Sequence, residues 1–126
     1  IAVTGEGNST TTNLQQGLAK AWCDYNGSGT PALTDSFNIG GITDNGTGDY
    51  TFAYTNAMAS ANYVWSGCVQ YEGGSVNAIL WLAPKSGASS NRGASSVRVA
   101  SVYDSDGSVT VYDYEQQQFL VQGDLA

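Results

Sequence analysis

The chain has 126 residues and a formal charge of −7, with 16 Gly, 14 Ser and 11 Thr, four basic residues and no His. One domain is the natural unit at this length. Without His there is no Ser-His-Asp or Cys-His constellation and no imidazole metal ligand, and the absence of Lys and Arg throughout residues 21–84 argues against nucleic acid and an anionic lipid surface as partners; membrane insertion is not expected either, since the apolar runs are short.

The opening Ile1-Ala2-Val3-Thr4 alternates like a short strand, and the polar run 8–13 reads as a linker. Residues 1–13 are thus expected to be an N-terminal strand and linker, and 14–126 the β module. The chain opens at Ile1 without Met or a signal-peptide pattern, which reads as a fragment or processed product with further sequence upstream. In 19–25, Ala19, Ala21, Cys23 and Tyr25 share one face of a strand; Lys20, Trp22 and Asp24 share the other, which puts Trp22 at an edge or an interface. Residues 26–31 are loop chemistry. Ser36-Phe37-Asn38-Ile39, Gly40-Gly41 and Ile42-Thr43 follow, and then the clearest local signal: Asp44-Asn45-Gly46-Thr47-Gly48 between alternating segments marks a hairpin. Tyr50, Phe52 and Tyr54 line one face of its second strand.

Further strands are predicted at 63–71, 76–83, 96–103, 109–114 and 119–122, separated by Gly, Ser, Asn and Asp clusters. No stretch shows helical periodicity, and the apolar runs 63–65 and 78–83 are far short of a membrane span. Strands at this spacing describe an all-β, antiparallel β-sandwich with a jelly-roll-like arrangement. Leu, Ile, Val and Phe number only 24, so the core must draw on eight Tyr and three Trp. Rings not used in the core are expected at a subunit interface or, where exposed, as stacking platforms for sugars.

Eleven carboxylates raise a glycosidase reading, but Asp35, Asp44, Asp49, Glu72, Asp104 and Asp106 fall in or beside predicted turns, where Asp hydrogen-bonds its own backbone. No catalytic residue is assigned. Asp104-Ser105-Asp106-Gly107 resembles the start of a calcium loop without the remainder of the EF-hand pattern, and a hairpin turn is the simpler reading. A looser calcium site shared with Asp113 or with a neighbouring chain is the alternative; no metal or cofactor is assigned. Cys23 and Cys68 are read as two small buried hydrophobes on strands, with a single long-loop disulfide as the other option. Three glycosylation sequons, at Asn8, Asn26 and Asn45, are of the kind that arises by chance in this composition.

Gly17-Leu18-Ala19-Lys20-Ala21-Trp22, Tyr25-Asn26-Gly27-Ser28-Gly29-Thr30, Asp35-Ser36-Phe37-Asn38-Ile39, Ile42-Thr43-Asp44-Asn45-Gly46-Thr47-Gly48-Asp49-Tyr50-Thr51 and Ala61-Asn62-Tyr63, with Ser96-Val97-Arg98-Val99 near the end, form a pattern that extends over nearly the whole chain. It resembles a module at the C-terminal ends of tail-fibre and other virion structural proteins of tailed bacteriophages. The segments at 104–107 and 113–118 depart from it, being longer and more polar. The resemblance implies a homotrimeric fibre or appendage module located on the virion, which is not an enzyme. Its implied partners are its own copies, other virion proteins and a host cell-surface glycan or protein. The rival expectations are a decoration or spacer module without receptor binding, and a carbohydrate-active enzyme. For attachment, turn residues nominate Asn26, Asp44, Asn45, Asp49 and Glu72, with Tyr71 or Tyr103 nearby. The acidic charge of a trimer would repel anionic polymers at low salt.

Overall fold

The computed structural model describes residues 2–4, 11–70, 78–85 and 91–126. Strands β1 (Ala2–Thr4) and β2 (Thr11–Asn13) pair antiparallel as a two-stranded ladder of their own. Part of the polar run expected as a linker therefore has a ladder partner. A single helical turn, α1 (Leu14–Gly17), then leads into the sandwich.

Two antiparallel sheets form the body. One has the order β4-β3-β11-β7, from β3 (Ala19–Asn26), β4 (Ala32–Phe37), β7 (Val64–Val69) and β11 (Gln117–Gln122). The other contains β5 (Ile39–Gly46), β6 (Asp49–Tyr54), β8 (Ala78–Pro84), β9 (Ser96–Ser105) and β10 (Ser108–Val111). β8 lines one edge of β9. β6 and β10 lie end to end along the other, with β5 outside β6. At the junction Ser101 donates its N–H to the Gly48 carbonyl at 2.9 Å, and its carbonyl accepts the Tyr112 N–H at 3.1 Å. The β-sandwich expected from the sequence is present, and its predicted strands recur with small boundary shifts. The β3–β4, β5–β6 and β8–β9 hairpins stay within sheets, so the likeness to a jelly roll lies in the two-sheet packing and not in the strand order.

Alternation builds the core. Ala21, Cys23 and Tyr25 of β3, Tyr50, Phe52 and Tyr54 of β6, Val97 and Val99 of β9, and Phe119 and Val121 of β11 are buried. Phe52 is the hub, edge-on to Tyr25 at 4.7 Å and to Phe119 at 4.9 Å, and Trp65 stacks on Phe119 at 5.4 Å. Edge-to-face pairing adds to area burial, which lets rings supply what the aliphatics lack.

Between β4 and β5 stands Asn38, whose φ of 58° turns the chain from one sheet into the other. Asn tolerates this left-handed conformation better than most residues. Its side chain also staples the corner: Nδ2 donates to the Lys20 carbonyl at 2.9 Å, and Oδ1 accepts the Asn56 N–H at 2.7 Å. At the β5–β6 hairpin, Asn45-Gly46 lies at a register shift rather than in the two-residue turn, which is Thr47-Gly48. Gly48 is required there, because at φ +62° a Cβ would lie 2.6 Å from the Ser101 carbonyl oxygen. The calcium-loop resemblance resolves as a turn, with Asp106 and Gly107 both at positive φ in the β9–β10 hairpin, the combination a type I′ turn requires.

The predicted strand at 109–114 ends early, at Val111. The segment after it enters the protein because its polar groups have buried partners. Tyr25 donates its hydroxyl to Gln117 Oε1 at 2.8 Å, and Gln117 Nε2 donates to the Tyr114 carbonyl at 2.9 Å. Asp113 Oδ1 accepts the Tyr50 hydroxyl at 2.5 Å and the Gly48 N–H at 2.6 Å. Burial and, for Tyr50, the adjacent Asp113 carboxylate push both phenols far above their usual range, so they stay protonated as donors. This network closes one end of the sandwich.

Candidate functional site

Most of the described residues nominated for attachment are engaged in bonds within the fold. Asn26 accepts the Ser28 N–H on its side-chain oxygen at 2.7 Å, and Asp44 accepts the Gly46 N–H at 2.8 Å, so both shape their own turns. Asn45 donates to Thr51 Oγ1 at 2.8 Å and reaches Asp49 Oδ1 at 3.5 Å. Asp49 was nominated for exposure, but it is buried. Arg98 grips its two oxygens at 2.7 Å each, and Lys85 Nζ makes a further ion pair with it. The Arg98 bonds, aided by Lys85, hold its carboxyl at about 2 against desolvation. Its carboxylate ties β6 to β9 and to the residue after β8. Tyr103 is half-buried, with its ring 6.0 Å from that of Tyr112. Tyr71 and Glu72 lie outside the described residues.

The cysteine reading needs one correction. Cys23 is buried, and burial pushes its thiol far up, but Cys68 is exposed; both thiols are free. They cannot both be core hydrophobes because Cys23 falls on the inward phase of β3 and Cys68 on the outward phase of β7.

A coherent surface appears on the outer face of the four-stranded sheet. Register places Phe37 opposite Trp22, Trp22 opposite Leu120 and Leu120 opposite Ser66, a single row across β4, β3, β11 and β7. Phe37, Trp22 and Leu120 remain 51%, 37% and 40% exposed. Two residues along the strands, about 6.8 Å away, runs a second row: Asp35, Asp24, Gln118 and Cys68. The Cys68 thiol faces Gln118 Oε1 at 3.8 Å, and the Asp35 carboxylate accepts the Ser36 N–H at 2.8 Å. A shallow depression of about 420 Å³ between β3, β11 and β7 is lined by Trp22, Asp24, Ser66, Cys68, Gln118 and Leu120, among others.

Lys20 shares this face, two residues before Trp22 on β3, but its ammonium is turned back onto the backbone. Lys85 and Arg98 hold Asp49. Lys20 is buried, bonded to the Gln15 and Leu18 carbonyls, and Arg92 donates to the Tyr63 carbonyl at 3.1 Å with its guanidinium 5.9 Å from the Tyr63 ring centre. These four are all the Lys and Arg of the chain. The sequence pointed to Trp22 through its outward phase on β3. Leu120 and Gln118 were missed, although Gln118, Leu120 and Gln122 share one phase of β11 and only the leucine breaks its polarity.

Among the described residues no group of three or more Cys, Asp or Glu side chains is gathered as a metal site. Comparison with family models, with curated proteins and with solved structures finds no match to this chain.

Proposed function

We propose that the chain is a structural module of a tailed-bacteriophage virion, a homotrimeric tail-fibre or appendage part whose work is assembly and host-surface attachment, without catalysis. The resemblance extending over nearly the whole sequence supports the family. The observation that carries the assembly half is a second apolar surface, where α1 and β3 begin and the last residues return. Leu18 and Leu125, 52% and 43% exposed, flank with Phe37 a depression of about 520 Å³. A small domain with few aliphatics gains stability by burying such surface against identical copies. The outer sheet face, which meets this depression at Phe37, supplies the surface for attachment.

Sedimentation equilibrium of the full chain at micromolar concentration tests the assembly half. A trimer is expected, with Leu18→Glu and Leu125→Glu together shifting it to monomer. A stable wild-type monomer overturns it.

A further inference from the structure

We propose that the outer face of the four-stranded sheet is a binding site for a neutral, hydroxyl-rich saccharide, with Trp22 as stacking platform and Asp24 and Gln118 as its hydrogen-bonding groups. The proposal rests on the attachment reading above and deepens it by naming the ligand class and the site.

An ionised carboxylate only accepts hydrogen bonds, whereas an amide both donates and accepts. Asp24 and Asp35 sit directly opposite one another on β3 and β4, with Gln118 next in line on β11. Like charges so placed are unfavourable unless something offers them donors. The parallel row, Phe37, Trp22 and Leu120, offers apolar surface instead. An occupant spanning both rows must present an apolar face to one and several donors to the other. A pyranose does this, with its C–H face against the indole and its hydroxyls toward the acceptor row; Ser66, at the end of the apolar row, adds a hydroxyl that can donate or accept. Bonds from sugar hydroxyls to carboxylates are charge-assisted and so stronger than neutral ones.

The charges disfavour the other occupants. A second copy of the chain packed here would bury Asp24 and Asp35, while Lys85 and Arg98 already hold Asp49 and Lys20 and Arg92 are bonded to carbonyls of their own copy. Burying unpaired carboxylates is costly. An anionic polysaccharide meets the same two carboxylates and the acidic chain as a whole. A neutral glycan meets neither penalty.

The test uses the full chain on an immobilised panel of neutral hexose and N-acetylhexosamine oligosaccharides, with sialylated and uronic-acid glycans alongside, followed by titration of the best binder. The wild type is expected to bind at least one neutral glycan. Trp22→Ala should weaken that binding tenfold or more, Asp24→Asn and Gln118→Ala each threefold or more, and Trp22→Phe should retain most of it. Circular dichroism and sedimentation of every variant check folding and assembly; if Trp22→Ala misfolds, the two polar variants decide. Neutral-glycan binding unaffected by Asp24→Asn and Gln118→Ala overturns the site. So does binding confined to the anionic glycans, or no glycan binding by the wild type. Loss of the wild-type trimer with glycan binding intact strikes the fibre reading and leaves this site standing; an intact trimer that binds no neutral glycan does the reverse.

Discussion

The two faces of the β3–β11 strand pair are made by the same alternation and do opposite things. Inward, Tyr25 and Phe119 close on Phe52 with ring centres under 5 Å apart, and every large side chain there is buried. Outward, Trp22 and Leu120 lie in register and stay partly in solvent beside a row of acids and amides. The inner rings hold the sheets together because each has partners on the opposite sheet. The outer ones pair with one another across strands of one sheet, so the fold is expected to depend less on their size. An aromatic that a domain poor in aliphatics leaves outside its core is a candidate for binding, and that contrast can be broken by substitution.

The largest effect is expected from Phe52→Ala, which empties the hub of the ring cluster and should cost about 3–5 kcal/mol in chemical denaturation. Trp22→Ala, although it removes a larger side chain, should cost about 1 kcal/mol or less. Equal losses would mean that the outer row is structural. Next comes Gly48→Ala. A Cβ there would press on the Ser101 carbonyl and the Tyr112 backbone, so about 2 kcal/mol or more is expected; a neutral result would contradict the closed β6–β10 junction.

A smaller effect concerns the ion cluster on the outer face of the second sheet. The Asp49 carboxyl is lowered from 3.8 to about 2, chiefly by the Arg98 bonds. Because the folded value lies below the unfolded one, its stabilisation is fully present above about pH 4 and is lost as pH falls toward 2. Arg98 and Lys85 are partly solvated, which screens the gain. Asp49→Asn should therefore lower the thermal midpoint at pH 7 by only about 4 °C, with the difference from wild type shrinking between pH 4 and pH 2. A gap that stays constant over that range would contradict the clamp. The smallest expected effect is a difference in reactivity. Under native conditions Cys68 should react with a thiol reagent and Cys23 should not, with the second equivalent released on unfolding. Two fast thiols would mean that the inner face is open.

Local features were the legible part of the sequence. Alternation through Tyr50, Phe52 and Tyr54 and the Asn45-Gly46 signal placed a core strand and a hairpin because both depend on residues a few positions apart. The β3 phase likewise put Trp22 outside. What could not be read depends on partners far along the chain. Gln117 and Asp113 look like a polar surface run until Tyr25 and Tyr50 are seen to bind them. Asp49 looks like a turn carboxylate until Arg98 and Lys85 are brought over it. The outer row itself exists only through the pairing of Trp22 with Leu120, almost a hundred residues later, and a one-residue slip of β11 would send Leu120 inward.

The central claim is that the outer face of the β4-β3-β11-β7 sheet is built for binding and is dispensable for folding. It is tested most directly by thermal unfolding of the wild type and Trp22→Ala, each with and without millimolar neutral hexose and N-acetylhexosamine oligosaccharides. The two proteins should unfold within a few degrees of each other when alone, and saccharide should raise the midpoint of the wild type only, since a ligand stabilises the form that binds it. A collapse of the Trp22→Ala midpoint, an equal saccharide shift in both proteins, or no shift in either would contradict it.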